Sequence, residues 1–157
     1  MKNKLKPGRD YLGVGGGVLI MNDKNEVLLK KRSGKSKNDI GAWERPGGTV
    51  EYGEKAETSM LREAKEELGI NIKIIGYFPH TDHFLKKDKE HWIGLSFLGV
   101  IKSGKPKNME PHKCDEIGWF HIEKLPKNLA QPTRESIDNY LAGRYIKINE
   151  KRNHRKN

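Results

Sequence analysis

The sequence predicts an α/β fold in which one strand-rich sheet is accompanied by two helices. Two observations support this prediction. Short apolar segments with strand-like composition recur along the chain. Two segments have helical spacing, of which one follows a glycine-rich turn at residues 46–48 and the other lies near the C-terminus. The chain of 157 residues contains no repeat and no internal linker. We therefore expect a single domain that is large enough to bury a hydrophobic core.

The first two strands are predicted on either side of a polar turn. Residues 11–21 are apolar and rich in glycine, residues 22–25 (NDKN) are typical of a turn, and residues 26–32 (EVLLKKR) are typical of a strand. We expect a hairpin here and not a secretory signal, because no small-residue cleavage site follows the apolar run. The glycines lack the spacing of a dinucleotide fingerprint, since Val18 stands at the third glycine position. They would instead let a substrate approach the strand closely.

A helix is predicted from Lys55 to Leu68, after the turn at residues 46–48. Its residues are good helix formers, and Gly69 is a natural C-terminal stop because glycine adopts a left-handed conformation at little cost. One apolar stripe recurs at helical spacing and should face the core: Ala56, Met60, Leu61, Ala64 and Leu68.

The remaining elements are three strands and a second helix. Strands are predicted at residues 72–80, 92–101 and 117–122, because these runs are rich in β-branched and aromatic residues. Residues 103–111 read as a polar loop. Residues 133–141 have helical spacing and follow a turn at Leu125-Pro126.

Three carboxylates of the first helix are expected to lie side by side. Glu63, Glu66 and Glu67 are three and four positions apart, so they share one face of the helix, at the edge of the apolar stripe. Neighbouring carboxylates repel one another unless a cation or shared protons compensate. Hard divalent cations such as Mg²⁺ prefer oxygen ligands and are the natural partner. The alternative is a solvated acidic face that carries Glu/Lys pairs.

Residues 48–70 combine these features in one pattern of fixed spacing. The fixed positions are Gly48, Glu54, Arg62, Glu63, Glu66, Glu67 and Gly69, with aliphatic residues at Ala64 and Ile70. This segment resembles the signature of the Nudix hydrolases, G-x5-E-x7-R-E-U-x-E-E-x-G-U, at every fixed position. The resemblance extends over most of residues 12–142. It implies an α/β/α sandwich around a mixed β-sheet, with a catalytic strand–loop–helix motif.

The resemblance also implies a reaction and roles for the motif. Nudix enzymes hydrolyse a nucleoside diphosphate linked to another moiety, with Mg²⁺ or Mn²⁺ as cofactor. Glu63, Glu66 and Glu67 would hold the metal together with the backbone carbonyl of Gly47. Either Glu63 or Glu66 would be the general base. Glu54 and Arg62 would form a salt bridge that orients the loop and the helix.

Outside the motif, four more residues are candidates for the site, three from the resemblance and one, Arg45, from a departure from it. Glu110 resembles a loop carboxylate that joins the metal site in MutT-like members. Arg32 ends the second predicted strand, where the family often keeps an arginine near phosphate or base. Arg45 replaces the apolar residue that commonly precedes Pro-Gly-Gly, and it would face the substrate cleft and pair with phosphate, or pair with Glu44 or another acid. Asp115 would bind substrate, although Asp115 and Glu116 compete with Glu110 for the loop position.

Residues 106–114 (PKNMEPHKC) resemble a stretch of MutT-like nucleoside triphosphate diphosphatases, and the hallmarks of the ADP-ribose, NADH and diadenosine polyphosphate types are absent. This similarity implies hydrolysis of nucleoside or deoxynucleoside triphosphates to monophosphate and pyrophosphate, as nucleotide housecleaning. The first alternatives are an RNA 5′-end pyrophosphohydrolase and a hydrolase of another nucleoside diphosphate derivative, such as ADP-ribose. An alternative of a different class is a non-catalytic nucleotide-binding module.

The net charge of +10 is concentrated at the two ends of the chain. Residues 1–10 carry a net +3 and residues 144–157 a net +5, so we define a basic N-terminal arm, a domain at residues 11–143 and a basic C-terminal tail. These arms would attract RNA or anionic substrates, or they are simply solvated. The single Cys114 excludes an intramolecular disulfide and suits the cytoplasm. No segment predicts a membrane contact, and the family resemblance suggests a homodimer.

Overall fold

The computed structural model describes residues 4–36 and 38–148 of the chain. It contains nine strands and two helices within these residues and confirms the α/β class. In chain order the elements are β1 (Gly13–Ile20), β2 (Glu26–Arg32), β3 (Trp43–Glu44), β4 (Gly47–Thr49), α1 (Ala56–Leu68), β5 (Asn71–Tyr77), β6 (Thr81–Leu85), β7 (Glu90–Ser103), β8 (Cys114–His121), α2 (Gln131–Leu141) and β9 (Ile146–Lys147).

The strands form a mixed sheet and a smaller antiparallel sheet. The mixed sheet has the order β4-β1-β7-β5-β9, with β6 paired to β7. Within it, β1 runs parallel to β7 over eight residue pairs, and the other pairings are antiparallel. The smaller sheet has the order β3-β2-β8. The sequence predicted a single sheet, and the second one arises because β2 pairs with β8.

The predicted hairpin between the first two strands was wrong. The turn itself forms, since the Asn22 N–H donates to the Glu26 carbonyl and Met21 bridges Val27. Beyond that bridge, β1 and β2 belong to different sheets. The physical reason is burial: residues 18–20 of β1 and residues 27–29 of β2 are buried on both faces of their strands. Strands of this kind lie between two packed layers, not at the edge of a hairpin.

Helix α1 packs on the core that lies between it and the sheets. Met60, Ala64 and Leu68 are almost fully buried, and they join Val18 and Leu28 in one hydrophobic cluster. Leu61, which the sequence assigned to the same stripe, is 41% exposed and lies outside that cluster. The helix ends as predicted, because Gly69 adopts a left-handed conformation with a φ of 67°.

Helix α2 covers a second cluster, which contains Leu19, Leu29 and Ile137. It begins at Gln131, two residues before its predicted start, and proline occupies its first turn, where a missing N–H costs nothing. Because Leu19 and Leu29 alternate with residues of the first cluster along their strands, the strands separate the two clusters.

The described parts of both basic arms contact the sheet. The Gly8 carbonyl accepts a hydrogen bond from the His91 N–H, and the N–H of Ile148 donates to Ile75. Strand β9 pairs with β5, so the first residues of the segment defined as the C-terminal tail belong to the sheet. Residues 1–3 and 149–157, which carry much of the predicted basicity, lie outside the described residues. Within the described part, no helix is long and apolar enough to cross a membrane.

Candidate active site

A cavity of about 600 Å³ is bordered by both sheets and by the first turn of α2. Its floor includes the glycines of β1 and of β4, and its walls carry both basic and acidic side chains. The basic residues are Lys30, Arg32, Arg45 and Lys113, and the acidic ones are Asp39, Glu44 and Glu67. This composition suits a ligand that is itself charged.

Two carboxylates of α1 lie against β4, and Glu67 lines this cavity, whereas Glu63 and Glu66 are not among its lining residues. The Glu67 carboxylate accepts a hydrogen bond from the Gly47 N–H at 3.1 Å. The Glu63 carboxylate lies directly against Gly48, where a Cβ atom would come within 2.4 Å of a carboxylate oxygen. Any side chain at position 48 would therefore displace the Glu63 carboxylate from this position.

A buried ion-pair network holds Glu67. Its carboxylate accepts a hydrogen bond from the Lys30 ammonium at 2.5 Å, and Lys30 also pairs with Glu44 at 3.1 Å. Arg32 pairs with the other oxygen of Glu44 at 2.9 Å. Burial raises the pKa of Glu67 to about 7, although Lys30 and the Gly47 N–H stabilise the charged form. Burial alone would lower the pKa of Lys30, but Glu67 and Glu44 outweigh it, so the pKa lies above its ordinary value.

Arg62 ties the loop before α1 to the carboxylate face. The salt bridge expected between Arg62 and Glu54 is present, with two N–O distances of 2.8 and 3.1 Å. The same guanidinium donates to Glu63 at 2.9 Å and to Glu66 at 3.1 Å. One arginine therefore holds three carboxylates in fixed positions.

The salt bridge of Glu54 should make stability depend on pH. Arg62 holds the pKa of Glu54 at about 2, compared with an ordinary value of 4.5. The salt bridge therefore contributes fully to the free energy of unfolding at a pH above the ordinary pKa of 4.5, and this contribution is lost as the pH falls toward 2. We expect Glu54→Gln to lower the melting temperature at neutral pH, and the difference from the wild type to shrink below about pH 5. Thermal unfolding from pH 7 to pH 2 measures this, and a difference that is independent of pH would contradict it.

The donor set around α1 fits a hard divalent cation. The carboxylates of Glu63 and Glu67 border β4, and Glu66 is exposed beside them on the same helix. All are oxygen donors, which Mg²⁺ prefers, and all are paired with Lys30 or Arg62, so their charges already require cations. Among the residues described, no three His, Cys, Asp or Glu side chains are arranged closely enough to enclose a metal ion. The positions of these groups in a metal complex therefore remain a prediction.

Of the site residues predicted outside the motif, Arg32 and Arg45 line the cavity, whereas Glu110 and Asp115 are not among its lining residues. Arg32 lines it and also donates to the Asn38 carbonyl. Glu110 accepts a hydrogen bond from Lys113, which lines the cavity. The loop before Glu110 is bound to α1, because the Met109 N–H donates to the Glu67 carbonyl. Asp115 is exposed on β8 and is not among the residues that line the cavity.

Arg45 is buried in the cavity wall and does not pair with Glu44. Its guanidinium donates to the Ser96 hydroxyl at 2.9 Å, and its backbone N–H donates to Thr133. The Glu44 side chain points the other way, toward Lys30, as alternation along a strand requires. Burial lowers the pKa of Arg45 to about 10, so it is charged at neutral pH.

Sequence reasoning missed the cavity residues Lys30 and His83 and the buried Ser96. One signal was available for Lys30. It follows the buried run of residues 27–29 and shares its face with Leu28, so a charged side chain there had to reach a partner on α1.

Comparison with known proteins agrees with this geometry. A family model described as the NUDIX domain matches residues 12–140. The chain is 31% identical over 145 residues to the ADP-ribose pyrophosphatase of Methanocaldococcus jannaschii, covering 89% of this chain and 80% of that protein. It is 27% identical over 132 residues to a Bacillus subtilis protein provisionally named an 8-oxo-dGTP diphosphatase, covering 82% and 80%. The crystal structure of a MutT NUDIX hydrolase from Burkholderia pseudomallei matches with a TM-score of 0.75 at 35% identity, covering 80% of this chain and 95% of that one.

Proposed function

The chain belongs to the Nudix hydrolase family, and we propose that it converts nucleoside or deoxynucleoside triphosphates to the monophosphate and pyrophosphate. The observation that carries this proposal is the cavity, whose walls bring Lys30, Arg32 and Lys113 together with Glu67 of α1. A triphosphate brings several negative charges, which these cations would neutralise. The name of the B. subtilis relative supports the same substrate class.

Mg²⁺ or Mn²⁺ is the proposed cofactor. Glu63, Glu66, Glu67 and the carbonyl of Gly47 would hold it, with Glu110 contributing from its loop. Such an ion would neutralise phosphate charge and make a water molecule easier to deprotonate.

The residues of the chain would then position the reactants. Glu63 or Glu66 would accept the proton of the attacking water, and Arg62 would hold both carboxylates in place. The water oxygen would bond to phosphorus while the opposite bridging P–O bond breaks and pyrophosphate leaves with the bond's electron pair. Lys30 and Arg32 would pair with phosphate oxygens, so charge stabilisation and positioning would supply most of the rate.

Removal of divalent metal should abolish hydrolysis reversibly. We expect the enzyme in excess EDTA to release no pyrophosphate from a deoxynucleoside triphosphate, and Mg²⁺ or Mn²⁺ to restore turnover. Pyrophosphate is measured directly, with the melting temperature recorded in parallel to exclude unfolding. Full activity in EDTA would contradict the proposed cofactor.

RNA with a 5′-triphosphate is the second candidate substrate, because the chain has a net charge of +10 and basic ends. Deletion of residues 149–157 tests it without removing β9. We expect the truncated enzyme to hydrolyse mononucleotides as well as the full chain does. If the RNA candidate were correct, this deletion would impair hydrolysis of triphosphorylated RNA alone, and the impairment would weaken with added salt.

The remaining alternatives predict other products. An ADP-ribose hydrolase would release AMP and ribose phosphate, and the M. jannaschii relative bears that name. A non-catalytic module would bind nucleotides without turnover, but the complete carboxylate set of the motif favours catalysis. A homodimer stays an expectation from the family resemblance, and light scattering would test the oligomeric state. A location in the cytoplasm stays an expectation from the single cysteine.

A further inference from the structure

One part of the cavity is lined by an aromatic side chain, that of Trp92. In the mixed sheet Trp92 pairs with Gly13 of β1, whereas Gly47, whose N–H donates to a carboxylate of α1, pairs with Gly17. Positions 13 and 17 lie about 13 Å apart along the strand. The cavity therefore presents the indole and the charged network around Lys30 at separate places.

The indole of Trp92 rests on two glycines that leave no room for a side chain. A Cβ atom at Gly13 would come within 2.4 Å of the six-membered ring of the indole, and one at Gly8 within 2.3 Å of its Nε1. The indole N–H donates a hydrogen bond to the Glu90 carboxylate at 2.8 Å. Three contacts, from three different parts of the chain, therefore fix the position of the ring.

Gly8 belongs to a compact turn of the basic N-terminal arm, formed by residues 6–10. Its φ of 82° lies in the left-handed region, and its carbonyl accepts a hydrogen bond from the His91 N–H at 2.7 Å. The Asp10 side chain closes the turn by accepting from the Lys6 N–H, and the Asp10 N–H donates to the Lys6 carbonyl. The sequence left the arm as a solvated segment or an attractor of anions, whereas this part of it is attached beside Trp92.

The surroundings of Trp92 in the cavity suit an uncharged planar ring. Strands β6 and β7, which the structure describes over their whole lengths, contribute His83, Trp92, Ile93 and Gly94 to the lining, without a lysine, an arginine or a carboxylate. Aromatic side chains stack on nucleobases, because every base has a π-face. A phosphate would find no fixed positive charge on these two strands, whereas a base needs none.

We propose that Trp92 stacks on the nucleobase of the substrate and that the turn at Gly8 is a positioning element that keeps the indole in place. This inference rests on the proposed function, because it names the part of the same cavity that takes the base. A nucleotide carries its base and its phosphates at opposite ends, so the base would meet Trp92 while the phosphates meet Lys30 and Arg32. Stacking would strengthen the binding of any base and would not select one base by its hydrogen bonds.

The test compares the binding of a nucleotide with that of the same compound without its base. NMR titrations of the full chain in EDTA give Kd values for GMP, AMP and ribose 5-phosphate, and we define the base ratio as the Kd of ribose 5-phosphate divided by that of the nucleotide. Trp92→Leu should lower the base ratio about tenfold for both nucleotides, and Trp92→Phe should lower it much less because the aromatic face remains. Phe84→Leu, which changes an exposed aromatic residue of β6 outside the cavity, should leave it unchanged.

A second pair of variants tests the turn. Gly8→Ala places a methyl group on Nε1 of Trp92, so the indole or the turn must shift, and the base ratio should fall about threefold. Gly34→Ala is the matched control, because a Cβ atom there would meet no described residue within 4 Å apart from its chain neighbours. If Gly8→Ala does not fold, Asp10→Ala, which removes the side-chain acceptor that closes the turn, decides in its place.

The outcomes separate this inference from the proposed function. An unchanged base ratio in Trp92→Leu overturns the inference, and so does an unchanged ratio in the folded variant of the turn. If no triphosphate is hydrolysed but the base ratio depends on Trp92 and on the turn, the proposed function fails and the stacking site stands. If triphosphates are hydrolysed and Trp92→Leu changes neither the base ratio nor KM for GTP, the proposed function stands and this inference fails.

Discussion

Glu66→Gln and Glu63→Gln are each expected to lower kcat by about 10²–10⁴-fold on nucleoside triphosphates in Mg²⁺. Both residues lie on the face of α1 that Arg62 organises, and one of them would take the proton of the attacking water. Glutamine keeps the shape of the side chain but removes the charge and most of the basicity. Steady-state rates of pyrophosphate release measure the loss.

A matched change of charge elsewhere provides the control. Glu123 is 80% exposed and does not line the cavity, so Glu123→Gln should retain wild-type kcat. Melting temperatures show whether each variant is folded. An unchanged kcat in Glu66→Gln would mean that the assignment of Glu66 to the metal site is wrong, and the same result in both variants would remove the carboxylate face from the mechanism.

Lys30→Met is expected to destabilise the protein by about 3 kcal/mol at neutral pH. The side chains of Lys30 and Glu67 are only 10% and 8% exposed, so methionine would leave a carboxylate buried without its cation. Part of the cost is relieved because Glu67, with a pKa of about 7, can take up a proton. Urea unfolding gives the difference in the free energy of unfolding.

The neighbouring lysine and a double variant complete this test. Lys31 meets Trp43 with its ammonium 6.0 Å from the ring, and Lys31→Met should cost less than about 1 kcal/mol. Lys30→Met combined with Glu67→Gln should recover most of the lost stability, since no charge is then left unpaired. A Lys30→Met protein as stable as the wild type would show that the buried pair does not hold the site together.

The motif could be predicted from the sequence because its information is local. The helix after residue 55, its end at Gly69 and the shared face of Glu63, Glu66 and Glu67 all follow from spacing along 15 residues. The Glu54–Arg62 salt bridge followed from the family pattern and is present.

The sheet partners could not be predicted, because they depend on contacts between distant residues. The apolar runs of β1 and β2, joined by a short turn, indicate a hairpin when they are considered alone. Because both strands are buried on both faces, β1 pairs with β7, some 80 positions along the chain, and β2 pairs with β8. Strand β6 was not predicted, because its sequence, TDHFL, mixes polar and apolar residues at the edge of the sheet.

For Arg45, the sequence left open whether it faces the substrate or pairs with Glu44. Strand alternation decides the geometry, since Glu44 reaches Lys30 while Arg45 reaches Ser96 on the opposite side. The hydrogen bond from Arg45 to Ser96 joins residues 51 positions apart, which no local pattern encodes.

The most direct test of the central claim is product analysis over a substrate panel with Mg²⁺. The panel contains natural and oxidised deoxynucleoside triphosphates, ADP-ribose, a dinucleoside polyphosphate and triphosphorylated RNA, and the assay separates pyrophosphate from phosphate. We predict pyrophosphate and monophosphate from the triphosphates, with little turnover of the others. Turnover confined to ADP-ribose or RNA, or release of phosphate in place of pyrophosphate, would contradict the proposed substrate and point of cleavage.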